Sequence, residues 1–256
     1  MDWLEISDNW VLIPPQPKGI VHFLGGAFVA SAPHLTYRWL LEQVARQGYA
    51  VVATPFVNTL DHGTIARDVL WTFEDGLEDL FATRRLKRRG LPIYGMGHSM
   101  GCKLHLLIGS LYSVRRAGNI LISFNNYAAR QSIPLVEQLS SVMPVEFTPT
   151  PDEMNRLIRD RYQVRRNLLV RFSKDTIDQT AGLHRILDRR FPGLVTLQQL
   201  GGDHQTPLGQ DMSWPVVGEV FTPIDALSQW LKQEMYRDLY RLKREVLQWL
   251  NPLAPV

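Results

Sequence analysis

Ten residues constrain this chain more than any other stretch: Ile93-Tyr94-Gly95-Met96-Gly97-His98-Ser99-Met100-Gly101-Cys102. They read as the end of a strand, a tight turn carrying one serine, and the start of a helix. Gly97, Ser99 and Gly101 form a G-x-S-x-G nucleophile elbow. In such an elbow neighbouring backbone passes so close to a strained turn that the flanking side chains must be minimal. The strain aims the serine Oγ away from the sheet and into a cleft. Leu104, Leu107, Ile108 and Leu111 follow at helical spacing, so the turn is expected to run straight into a buried helix. Ser99 then stands at a helix N-terminus, where free N–H groups and the dipole favour negative charge.

A serine hydroxyl is a poor nucleophile at neutral pH. It needs a base within hydrogen-bond reach, and the base needs an orienting acceptor. With an elbow of this kind the partners follow in the order serine, acid, histidine. Of the seven histidines only His184 and His204 come after a plausible acid. His184 falls inside a predicted helix, whereas His204 lies in a glycine-flanked loop past the last predicted strand, so His204 is the expected base. Asp175, three residues beyond Phe172 at a strand end, is the expected acid. Asp178 is the rival, although it is also well placed to cap the following helix. Asp203 adjoins His204 and cannot easily reach its ring.

An acyl-transfer centre also needs donors for the oxyanion. Gly25-Gly26 follows the apolar run Ile20-Val21-His22-Phe23-Leu24 and lets the backbone turn with N–H groups exposed. One donor is placed at Ala27, or at Phe28 if the loop is tighter, and the other at Met100, the residue after the nucleophile. Phe28, His98 and Asn125 are expected to contact substrate. The mechanism requires no metal and no organic cofactor.

The rest of the chain alternates strands and helices. Trp3–Ile6 and Trp10–Ile13, around Ser7-Asp8-Asn9, suggest an opening hairpin. Further strands are expected at Tyr49–Pro55, Asn119–Phe124, Leu168–Phe172 and Val195–Leu200. Predicted helices have core faces of Leu35, Trp39, Leu40 and Val44; of Ile65, Val69, Phe73 and Leu77; and of Leu183, Ile186 and Leu187. Asp61 is expected to cap the second of these, with His62 packed beside it. A closing helical stretch runs from Pro223 to Leu250. About eight strands with helices interleaved after the first two predict a doubly wound, mostly parallel α/β sheet in one domain spanning 1–256. The proline-rich, irregular stretch 128–166 is expected as a lid-like insertion. It is also cationic, through Arg156, Arg159, Arg161, Arg165 and Arg166.

The bulk composition excludes several classes. A net charge of +3 without a long basic tail does not indicate nucleic-acid binding. The single cysteine, Cys102, rules out an internal disulfide and a cysteine zinc site, and suits a reducing compartment. No apolar run approaches the roughly 20 residues needed to span a bilayer. The first residues do not resemble a signal peptide, so a cytoplasmic setting is expected.

These residues together resemble the α/β-hydrolase superfamily. More narrowly, the chain is similar to a cyanobacterial and plastid family, domain of unknown function 1350. The similarity is carried by Trp10–Pro15, His22–Phe28, Gly97–Gly101 and Arg116–Asn126. It implies the fold and, for a targeted homologue, a plastid stroma; it implies no substrate. Many superfamily members carry His-Gly at the oxyanion loop, where this chain has Gly25-Gly26. The function expected is a serine hydrolase acting on an ester or thioester, lipid-like acyl groups included. The alternative is a non-catalytic binding or assembly factor on the same scaffold, which the basic insertion and the long terminal helix would serve.

Overall fold

We describe the chain from a computed structural model over residues 1–129, 146–209 and 223–252, with 223–235 described by backbone alone. Eight strands form one sheet: β1 (Leu4–Ile6), β2 (Asn9–Leu12), β3 (Gly19–Leu24), β4 (Tyr49–Ala53), β5 (Ile93–His98), β6 (Gly118–Ile122), β7 (Asn167–Phe172) and β8 (Val195–Leu200). Their spatial order is β1-β2-β4-β3-β5-β6-β7-β8. β1 and β2 form a hairpin with Leu4 opposite Val11, and β2 runs antiparallel to β4. Every other pairing is parallel. Both turn residues of the hairpin, Ser7 and Asp8, have positive φ (45° and 58°). Two left-handed residues give the twist that matches paired strands.

The helices are α1 (Pro33–Thr36), α2 (Arg38–Arg46), α3 (His62–Ala82), α4 (Met100–Leu111), α5 (Pro151–Arg161), α6 (Thr180–Arg190) and α7 (Pro223–Leu250). One face of the sheet carries α2 and the C-terminal part of α7, packed through Leu40, Leu41, Val44, Leu239, Leu242 and Val246. The other face carries α3 to α6, through residues such as Ile65, Val69, Leu104 and Ile158. Covering both faces buries β3 along its whole length. After β4 the chain crosses back over β3 to reach β5. The order therefore reverses between β3 and β5, and a crevice opens at the C-terminal ends of these strands.

Three expectations are corrected. Leu35 is 63% exposed, because the first helix breaks at Tyr37 and Leu35 sits on the separate turn α1. Leu111, at the end of α4, is 41% exposed. The sequence reads the basic run Arg84–Arg89 as the cationic last turn of the helix carrying Ile65, Val69, Phe73 and Leu77, but α3 stops at Ala82 and the run forms a turn beyond it.

Of the stretch expected to be lid-like, residues 130–145 lie outside the described residues. The part from 151 onward is scaffold. Thr150 and Glu153 form a capping box with Pro151 in the first turn, and the helix buries Met154 and Ile158 against α4 and α6. The sequence predicts a broad apolar face for this closing helix, of which Leu227, Trp230, Leu231 and Met235 fall on residues described by backbone only, while Leu239, Leu242, Val246 and Leu250 are buried.

Candidate active site

The elbow is a close-packing device. A Cβ on Gly101 would collide with the Leu24 carbonyl oxygen at the end of β3, and one on Gly97 would lie 2.5 Å from the Gly101 carbonyl carbon. Strand β5 and helix α4 can meet at this angle only if both positions are glycine. Ser99 takes φ 53° and ψ −117°, and its N–H donates to Ile122 O at 2.9 Å. A non-glycine residue held there stores about 1–3 kcal/mol of backbone strain.

Two loops at the far end of the sheet bring the partners in. Ser173 N–H donates to Leu200 O and Lys174 N–H to Gly202 O, both at 2.9 Å, so the chain leaving β7 and the chain leaving β8 are stitched together. Asp175 and His204 face each other across that seam. His204 Nδ1 is 2.8 Å from Asp175 Oδ2, and His204 Nε2 is 3.0 Å from Ser99 Oγ. The Asp175 carboxylate is fully buried and takes a second hydrogen bond, 3.0 Å, from Ile177 N–H. A carboxylate only accepts, so Nδ1 carries the ring proton and Nε2 offers its lone pair to the serine hydroxyl.

Asp178 is occupied elsewhere. Its Oδ1 accepts from Thr180 Oγ1 at 2.5 Å, and its Oδ2 lies 3.5 Å from the Arg171 guanidinium. Thr180 Oγ1 in turn accepts from Phe124 N–H at 3.1 Å. Asp178 therefore holds the segment after β6. Ser123, at φ 53°, turns that segment into the crevice, and Asn125 Nδ2 donates to Ser99 Oγ at 3.1 Å.

A family model described as a protein of unknown function, DUF1350, matches residues 2–252. The chain belongs to the DUF1350 family. No curated protein sequence matches it. Among solved structures this DUF1350 chain is similar to a soluble variant of monoglyceride lipase from Saccharomyces cerevisiae, at TM-score 0.61 and 13% identity, covering 100% of this chain and 96% of that one. It is similar to the fluorophosphonate-binding serine hydrolase F of Staphylococcus aureus, at TM-score 0.55 and 14% identity over 90% and 91% of the two chains. It is also similar to the esterase Pf2001 of Pyrococcus furiosus, at TM-score 0.54 and 15% identity over 94% and 89%. At such identities the likeness carries the fold, which is that of an α/β-hydrolase.

The Gly25-Gly26 loop of this DUF1350 member passes directly over Ser99. A Cβ on Gly26 would lie 3.5 Å from Ser99 Cβ. Beyond it the chain turns at residues 27–30, with Val29 N–H donating to Gly26 O at 3.1 Å. Neither Ala27 N–H nor Met100 N–H donates to an acceptor among the described residues. Phe28 projects from the same turn and is 90% exposed.

His98, expected to contact substrate, is instead buried with its ring engaged inside the protein. The residue is 3% exposed and both ring nitrogens are engaged. Nε2 lies 2.9 Å from the His204 carbonyl oxygen, which can only accept, so Nε2 carries the proton. Nδ1 then accepts from the Tyr37 hydroxyl at 2.8 Å, and the Tyr37 oxygen accepts from Gly26 N–H at 2.8 Å. Burial, reinforced by the adjacent His204, holds the His98 pKa down at about 3, so the ring stays neutral. Nothing in the sequence singles out Tyr37, which sits at helical spacing with Leu40, Leu41 and Val44 and reads as one more core residue. The second buried histidine near the crevice, His62, stacks 4.3 Å from Phe147, and Asp61 caps α3 by accepting from Thr64 N–H.

Proposed function

We propose that this chain is a serine hydrolase that cleaves esters or thioesters through an acyl-enzyme. The observation that carries the reading is the His204 imidazole, placed at 3.0 Å from Ser99 Oγ and 2.8 Å from Asp175 Oδ2. As Ser99 Oγ attacks the acyl carbon, its proton passes to His204 Nε2. Asp175 fixes the tautomer and stabilises the imidazolium. Ala27 and Met100 N–H groups hold the oxyanion of the tetrahedral intermediate. The imidazolium then protonates the departing alkoxide or thiolate, leaving an acyl-serine. Water attacks that ester with His204 again as base, and the collapse returns the proton to Ser99. An apolar acyl chain suits the mouth of the crevice, where Phe28 stands in solvent.

A fluorophosphonate probe tests the reading. Wild-type protein is expected to be labelled and Ser99→Ala is not; absence of labelling in folded wild-type protein would overturn it. A panel of esters of graded chain length then ranks the acyl groups.

A further inference from the structure

The face of the sheet opposite the elbow helix carries a second cleft, of about 630 Å³, which the chemistry at Ser99 does not use. One wall is a stripe along α7. Arg237, Arg241 and Arg244 recur there at helical spacing, with Lys243 alongside. The other wall is Lys18, just before β3, with Tyr49 at the start of β4. Lys18 and Tyr49 mark the N-terminal ends of parallel strands, whereas Ser99 follows the C-terminal end of β5. The two sites are therefore separated by the length of a strand, about 17–20 Å.

Among the described residues the charge in this cleft is of one sign: five cations line it and no described aspartate or glutamate does. Two acids of α7 lie beside them. Asp238 is 5% exposed and packed beside Gly201, and it serves both Arg237 at 3.8 Å and Arg241 at 3.6 Å. Glu245 pairs with Arg244, at 3.4 Å. The lysines lie against rings: Lys18 is 4.8 Å from the Tyr49 centroid and Lys243 is 4.7 Å from that of Tyr240. Tyr49, Tyr240 and Leu247 add apolar surface to the lining. A concave site of this volume has the size of a small-molecule pocket. Grouped arginines around it are suited to phosphate or carboxylate oxygens.

We propose that this cleft binds a small polyanion, a molecule bearing two or more phosphate or carboxylate groups on an apolar or aromatic body. Such a ligand relieves the mutual repulsion of the five cations and lays its body on the tyrosine rings. A membrane surface fits less well. The site is concave, and docking by this edge would hold the Ser99 crevice away from the lipid.

Calorimetric titration of the full-length protein at low ionic strength tests the proposal, using inorganic pyrophosphate, citrate and adenosine 5′-diphosphate as probes. Adenosine 5′-diphosphate is expected to bind more tightly than pyrophosphate. Both are expected to weaken several-fold as salt rises toward about 0.2 M. Arg241→Glu with Arg244→Glu is expected to weaken binding at least ten-fold, and Lys18→Glu supplies an independent variant should that pair fail to fold. Arg85→Glu with Arg88→Glu, on the exposed turn after α3, is expected to leave binding unchanged, as is Ser99→Ala. The proposal is overturned by absence of binding, by binding that survives the charge reversals in the cleft, or by equal loss at Arg85 and Arg88. It is also overturned if anionic phosphatidylglycerol vesicles bind and the soluble probes do not. None of these outcomes depends on whether Ser99 is reactive.

Discussion

The ring of His98 hydrogen-bonds through Nε2 to the backbone carbonyl of His204, at 2.9 Å. Through Nδ1 it takes the Tyr37 hydroxyl, which in turn holds Gly26 N–H. One buried neutral imidazole thus ties together the Gly25-Gly26 loop, the Ser99 turn and the loop bearing His204. Displacing a reacting group by about 1 Å can cost 10²-fold in rate. Tyr37→Phe and His98→Ala are accordingly expected to lower kcat by about 10- to 100-fold with little change in KM. The plateau of the fluorophosphonate labelling rate against pH should fall while its inflection stays in place. A shifted inflection, or a loss confined to KM, would argue against this positioning role.

Asn125 separates two ways of touching the nucleophile. Its Nδ2 donates to Ser99 Oγ at 3.1 Å, so it stabilises negative charge developing on that oxygen. Asn125→Ala removes a donor and is expected to slow acylation about 10-fold, in line with one lost charge-assisted hydrogen bond. Asn125→Asp sets a carboxylate against the same oxygen and should be slower still. Burst kinetics with a chromogenic ester measure both. Equal rates for the two variants would show that the side chain acts by packing alone.

The two acids give opposite phenotypes. Asp175→Asn leaves the site's shape but permits the wrong imidazole tautomer, and is expected to lower kcat by about 10²–10⁴-fold. Asp178→Asn disturbs the links to Thr180 and Arg171 that organise the chain after β6. Its expected cost is about 1–3 kcal/mol of stability, with a smaller effect on turnover. Thermal unfolding and ester turnover, measured on the same preparations, distinguish them.

Glycine substitutions divide in the same manner. Gly101→Ala drives a methyl group into the Leu24 carbonyl oxygen, where backbone on both sides cannot give way. Loss of soluble folded protein is expected. Gly182→Ala in α6 meets nothing closer than an arginine tip at 3.9 Å. There the change removes only backbone entropy and should add about 0.5–1 kcal/mol. Denaturant midpoints check both signs.

These contrasts explain what could be read from the chain alone. The elbow was legible because G-x-S-x-G has a steric cause that leaves no other residue at Gly97 and Gly101. The central strands were legible to within one or two residues because burial on both faces favours apolar runs, as in Ile20–Leu24. Leu35 was misjudged because periodicity carries through Tyr37, where the helix actually breaks. The role of His98 was invisible for a different reason. Spacing locates an imidazole beside the nucleophile, but only the folded chain shows that Tyr37 and the His204 carbonyl consume both of its nitrogens. The far cleft was hidden similarly, since Lys18 and Arg241 are 223 residues apart and meet only through the sheet.

Acid stability follows from the buried histidines. His22, His62, His98 and His105 are each at most 3% exposed, and burial pushes all four pKa values down, with His62, His98 and His105 at about 3. Arg116, 2.9 Å from His22 Nδ1, adds to the effect there and at His105. In the unfolded chain an imidazole binds its proton near pH 6.5. Between pH 6.5 and about 3 the unfolded state therefore holds more protons than the folded one, and stability rises with pH across that window. The contribution is complete above pH 6.5. Below it, stability falls as the unfolded chain takes up protons that the buried rings do not. Urea midpoints are expected to change little from pH 7.5 to 6.5 and to fall steeply from 6.5 to 5.5, above the range where carboxylates titrate. A flat midpoint across pH 7.5 to 5.5 would mean that these rings are not held neutral.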